Sequence, residues 1–132
     1  MQKVKVRFPK TRFFVEVFLW RTRDELHKKT REKGDKVDYG GIYKPEAYII
    51  YPRFKVKNKL GEIHLYKGRT GAGLLSHEVL HCILDYAQKV TAGGTGTLDI
   101  DDDHHDDMEK LCFYQGETVR RIAVWLQKVK EW

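Results

Sequence analysis

Apolar residues follow two different spacings along the chain, one of period two and one of three to four. Residues 3–8 and 13–20, the latter FFVEVFLW, are dense in β-branched and aromatic side chains and predict strands. From Thr22 the pattern turns helical. Thr22 with Glu25 three places on forms a capping box, and Gly34 supplies a stop, so DELHKKTREK is expected to be a helix of about three turns. Leu26 is almost its only large apolar residue, which predicts a surface helix with one shallow contact. In DYGGIYKP, Gly40, Gly41 and Pro45 signal a turn, after which AYIIYPRFKV predicts a strand to about Phe54, with Pro52 marking an unpaired edge. EIHLYKG predicts a further short strand, with Ile63 and Leu65 on one face and Glu62, His64 and Tyr66 on the other.

The second half is helical in period. Residues 71–90, GAGLLSHEVLHCILDYAQKV, carry apolar residues on nearly every side, as expected of a helix packed deep in a small domain. A glycine-rich loop, TAGGTGTLD, leads to a last helix starting around Asp106 or Asp107 and running nearly to Trp132. Its expected core stripe is Met108, Leu111, Gln115, Val119, Ile122, Leu126 and Val129. Together these elements predict an α+β fold. A small twisted sheet of three to four strands, antiparallel or mixed, would pack on the helix of residues 71–90 and on the long C-terminal helix.

Composition adds bounds to this picture. The chain has 132 residues, 41% hydrophobic and 33% charged, which suits a single globular domain spanning 1–132. No apolar run approaches the length of a membrane span, so no membrane partner is expected. The basic start, MQKVKVRFPK, lacks the apolar centre of a secretory signal, and cytoplasmic residence is the default expectation. Cys82 and Cys112 do not make a disulfide framework and are expected to be buried thiols. The net charge of +6 is uneven: residues 1–36 are rich in Lys and Arg, while 99–109 read DIDDDHHDDME. The basic end would attract nucleic acid, the acidic cluster would repel it, and the pattern contains no base-reading element. The Asp run fails as a calcium loop, because His104 stands where glycine is needed and Lys110 where the closing glutamate is needed.

The chemistry-bearing motif is HEVLH, residues 77–81. Four residues apart on a helix, His77 and His81 share one face and can reach a single zinc ion, and Glu78 stands next to the first of them, placed to polarise a water. The competing interpretation is a pair of core histidines bonded to backbone, with Glu78 paired to a basic residue. Two histidines make half of a tetrahedral site, so a third protein ligand is required. Glu109 on the last helix shares a sector with Cys112, Gly116 and Ala123, small residues that would admit a close helix approach. His105, His104 or an Asp of the cluster are the rivals, while Asp85, four residues after His81, suits a supporting or surface carboxylate.

Strands, a HExxH helix, a loop and a helix offering glutamate resemble the zincin metallopeptidases, specifically the minimal gluzincin-like domains common in phage and bacterial proteins. The resemblance covers roughly residues 45–120 and rests on SHEVLH, with MEKLCFYQG similar in spacing to the glutamate-bearing helix. Where many gluzincins carry an Asp four residues after the glutamate ligand, this chain has Phe113. The resemblance implies a zinc-dependent peptidase. His77, His81 and Glu109 would hold Zn(2+) and Glu78 would act as general base, with His105, His104 and Tyr114 as candidate oxyanion donors. It further implies a protein or peptide substrate, bound as an added strand along EIHLY. Two other classes compete: a catalytically silent zinc protein that binds a partner, and a basic nucleic-acid module with structural zinc.

Overall fold

The computed structural model describes residues 1–30, 42–45, 58–88 and 105–131, with the side chains of 105–107 left aside. Seven elements are seen among them: β1 (Gln2–Arg7), β2 (Phe14–Trp20), α1 (Arg23–Thr30), β3 (Ile42–Pro45), β4 (Lys59–Tyr66), α2 (Ala72–Tyr86) and α3 (His105–Lys128). The strand predicted from Ala47 to Phe54 and the acidic segment before His105 lie outside the described residues.

The strands form one mixed sheet in the order β1-β2-β4-β3. β1 and β2 pair antiparallel as a hairpin, β2 and β4 pair parallel, and β3 pairs antiparallel with β4. Alternation then sorts the side chains. Val4, Val6, Val15, Val17, Leu19, Ile63 and Leu65 point to one face, where they join Leu75, Val79, Cys82 and Ile83 of α2 and Ile122 and Leu126 of α3 in the main core. At one end of this core Phe8, Phe13, Tyr86 and Tyr114 form an aromatic cluster with ring centroids 5.2–5.7 Å apart.

The opposite face carries Glu16, Phe18, Trp20, Glu62 and His64, and α1 packs on it through fully buried Leu26. The capping box holds α1 in part as expected. The Glu25 N–H donates to Thr22 Oγ1 at 3.2 Å, while the Glu25 carboxylate reaches back to the Arg21 N–H at 3.0 Å, one residue earlier than the usual return bond.

Five expectations are corrected here. IYKP, expected as turn, is β3, because pairing with β4 outweighs the local signals of glycine and proline. EIHLY is not a sheet edge: β4 is flanked by β2 and β3, and the edges among the described strands are β1 and β3. α2 is not enclosed on all sides, since Leu80 and Leu84 are 43% and 42% exposed. The buried line of α3 runs through Thr118, Ile122 and Leu126, so Met108 is exposed, and Cys112, expected to be buried, is exposed as well. Among the described residues no helix is long and apolar enough to cross a membrane.

Candidate metal centre

α2 buries Leu75, Glu78, Val79, Cys82, Ile83 and Tyr86, the three- and four-residue spacing of a single face. Its opposite face therefore presents His77, Leu80, His81 and Leu84 outward. Gly71 opens the helix, its carbonyl accepting from the Leu75 N–H at 3.0 Å. Thr70 anchors that end to the C-terminus of the chain by donating its hydroxyl to the Glu131 carbonyl.

The two imidazoles converge. His77 Nε2 and His81 Nε2 are 3.2 Å apart, with the rings nearly perpendicular at 80°. Nitrogens this close are either donor and acceptor to each other or two lone pairs directed at one cation. Glu78 lies beside them with 5% of its surface exposed. Burial pushes its carboxyl above the usual carboxylate range, opposed in part by the charges of His77 and His81 and by a hydrogen bond from the Tyr43 backbone N–H.

The sheet sets how Tyr43 is turned. Pro45 pairs with Gly61 although it has no N–H, so it stands at a position where no ladder bonds are exchanged. Two residues earlier, Tyr43 turns its own N–H and carbonyl away from β4 in the same way. The Tyr43 side chain continues onto α2. Its hydroxyl lies 2.5 Å from Asp85 Oδ2 and 3.1 Å from the Leu60 carbonyl oxygen. Burial, followed by the neighbouring Cys82 and Asp85, pushes the phenol far above its ordinary range, so it stays protonated as the donor.

These groups line a cleft of about 560 Å³ bounded by Ile42, Tyr43, Pro45, His77, Glu78, His81, Leu84, Asp85 and Gln88. The structure thus gathers His77, Glu78 and His81 in one place. It does not add Glu109. Among the described residues no group of three His, Cys, Asp or Glu side chains is arranged to hold a metal. Glu109 is exposed, as are Cys112 and Gly116, and an added Cβ on Gly116 would meet no atom within 4 Å. Of the small residues of that sector only Ala123 packs against the core, while Cys112 and Gly116 are exposed. Tyr114 is in the aromatic cluster and does not line the cleft. His104 and the side chain of His105 lie outside the described residues, although α3 does begin at His105. Glu117 pairs with Arg120 at 2.9 Å and with Arg121 at 3.6 Å.

Tyr43 and Gly61 had no signal in the local pattern, because the one is embedded in a turn-like string and the other contributes only by lacking a side chain. Asp85 was visible by its spacing after His81, and it does support the site from behind. Comparison with protein-family models, with curated proteins and with solved structures finds no match.

Proposed function

We propose that the chain is a small zinc-dependent peptidase of zincin-like, HExxH type. The observation that carries this reading is the 3.2 Å between His77 Nε2 and His81 Nε2. Two nitrogens each about 2.05 Å from a tetrahedral zinc stand roughly 3.3 Å apart, so the pair already has the spacing of one edge of such a site. His77 and His81 would hold the ion, and the third ligand is proposed among His104, His105 and Glu109, to be assigned by single alanine substitutions and zinc content. A zinc held there would supply Lewis acidity to a water and to the scissile carbonyl.

Glu78 does the proton work. At the buried edge of the cleft it accepts a proton from the attacking water as the water oxygen bonds to the carbonyl carbon. It then passes that proton to the amine nitrogen as the C–N bond breaks. Burial raises the proton affinity of its carboxyl, which suits it to act as the base. With Glu78→Gln, zinc content should stay near that of the wild type while hydrolysis of a fluorescent casein falls by about 100-fold or more. Undiminished hydrolysis would remove Glu78 from the mechanism.

A second reading is favoured by the exposure of Leu80 and Leu84 beside the histidines. These leucines suit a zinc protein that binds a partner without cleaving it. Binding of such a partner would survive Glu78→Gln and fail with Leu84→Lys.

A further inference from the structure

Lys3, Lys5, Arg7, Lys10 and Arg12 all precede Glu16, the first acidic residue of the chain, and all five are exposed. The hairpin of β1 and β2 sets three of them in line. Val4 and Val6 turn toward the core, so Lys3, Lys5 and Arg7 alternate with them onto the other face of the sheet. Neighbours in this row stand roughly 6.8 Å apart along the strand.

β2 steadies the row without neutralising it. Lys3 Nζ lies 5.8 Å from the centre of the Phe18 ring, and Lys5 Nζ lies over the Phe14 ring at 4.3 Å. In the turn that follows, the Arg12 guanidinium lies over Phe13 at 4.7 Å and donates to Asn58 Oδ1 at 3.0 Å. Among the described residues the one carboxylate paired with these five cations is Glu16, 3.6 Å from Lys3, and Glu16 is shared with Lys59 at 2.9 Å. The backbone adds donors. The Phe8 N–H bonds to the Phe13 carbonyl at 2.9 Å, and by alternation Lys3 and Lys5 turn their own N–H groups away from β2, on a side where no described strand pairs.

We propose that Lys3, Lys5 and Arg7 form a binding surface for the phosphate backbone of single-stranded nucleic acid. Positive charges held in a straight row, at an interval comparable with that of successive phosphates in an extended strand, complement one strand better than a duplex, whose phosphates curve away. The outward N–H groups of Lys3 and Lys5 suit phosphate oxygens as well. Phe18 is flanked by the Lys3 ammonium and by the His64 ring at 4.8 Å, so it offers bases no open platform, and binding is by charge and independent of base sequence. α2 packs on the opposite face of the sheet, and β3, which lines the cleft, is the opposite edge from β1. Nucleic-acid binding here is therefore independent of the peptidase reading.

The test titrates the full chain into a fluorescein-labelled oligothymidine of about 20 nucleotides and follows anisotropy. Three phosphate contacts give a slope of log K against log salt of about −2, or roughly 20-fold weaker binding at 200 mM than at 50 mM salt. Replacing Lys3, Lys5 and Arg7 together by glutamine should weaken binding at least about tenfold and bring the slope to a magnitude below about 1. Zinc content should not change. Removing the same charge from the far side of the sheet, in Lys110→Gln with Lys128→Gln and Lys130→Gln, should cost less than about threefold. If circular dichroism shows the first triple variant unfolded, Lys5→Gln alone should reduce the slope by about 0.7 with the fold intact.

Absence of oligothymidine binding at the lower salt would overturn the proposal. So would equal losses in the two triple variants, which would reduce the effect to net charge. A duplex of the same length bound as tightly, or polyglutamate displacing the oligothymidine at equal charge, would overturn the assignment to a single strand and pass the row to duplex or to an acidic protein.

Discussion

His64 and the His77–His81 pair occupy the same small fold and meet opposite fates. His64 is 4% exposed and its ring lies parallel to Phe18, with centroids 4.8 Å apart. The Trp20 Nε1–H can only donate, and it donates to His64 Nδ1 at 2.9 Å, so the ring proton resides on Nε2, which faces Glu62 Oε1 at 3.0 Å. Glu62 in turn binds Lys59 at 2.6 Å, and Lys59 binds Glu16 at 2.9 Å. Every nitrogen of His64 is therefore engaged by protein. In His77 and His81 it is the Nε2 atoms that converge, on exposed rings at the rim of a cleft. A histidine becomes a candidate ligand through what its nitrogens still have to offer, and residue type alone does not report that.

The contrast is sharpest in substitution. Replacing His77 and His81 together by alanine should abolish zinc binding, from about one ion per chain to nearly none, and with it all hydrolysis. The melting temperature of the metal-free protein should barely change, because both rings are exposed. His64→Ala should do the reverse: zinc is retained, and stability measured by urea unfolding falls by about 2–4 kcal/mol, since a buried indole N–H and a carboxylate lose their partner and a cavity opens. A zinc deficit in His64→Ala would erase the distinction.

Acid provides a gentler way to separate the two. Burial, the largest influence, pulls His64 below its ordinary value of 6.5, and Glu62 opposes this only in part. The unfolded chain therefore takes up the proton first, and the stability contributed by neutral His64 is present above pH 6.5 and is lost as the pH falls below that value toward the lower folded-state value. Glu16 and Glu62, held below their ordinary value of 4.5 by Lys59, add a further loss at lower pH. In His64→Gln the decline just below 6.5 should flatten, as followed by thermal melts across pH. The smallest expected effect is that of Trp20→Phe, which deletes one donor: about 1–2 kcal/mol of stability, with zinc content and hydrolysis unaltered.

Local pattern was enough for the strands at either side of the hairpin, for the capped start of α1 and for the two long helices, because each has a period and a signal of its own. It was also enough for His77, Glu78 and His81, whose relation is fixed by one helix. Partners from elsewhere in the chain were less legible. β3 exists through its pairing with β4, and nothing in IYKP announces it. The parallel junction of β2 with β4 is likewise a distant contact, and it made an interior strand of EIHLY. On α3, Cys112 and Gly116 were taken as a contact surface because they are small, but small residues tolerate solvent equally well. The buried line of the helix runs through Thr118, Ile122 and Leu126, and Glu109 near its start is exposed.

The proline of β3 has a consequence for the company this protein keeps. A bare sheet margin invites a neighbour of the same kind, because it offers alternating N–H and carbonyl groups to any extended chain. Among the described strands β3 closes the sheet on this side, and at Pro45 there is no N–H to offer. At that position the margin can accept a hydrogen bond but cannot return one. A second copy approaching the described strands there would find a gap in the ladder, which discourages fibrous stacking through this side.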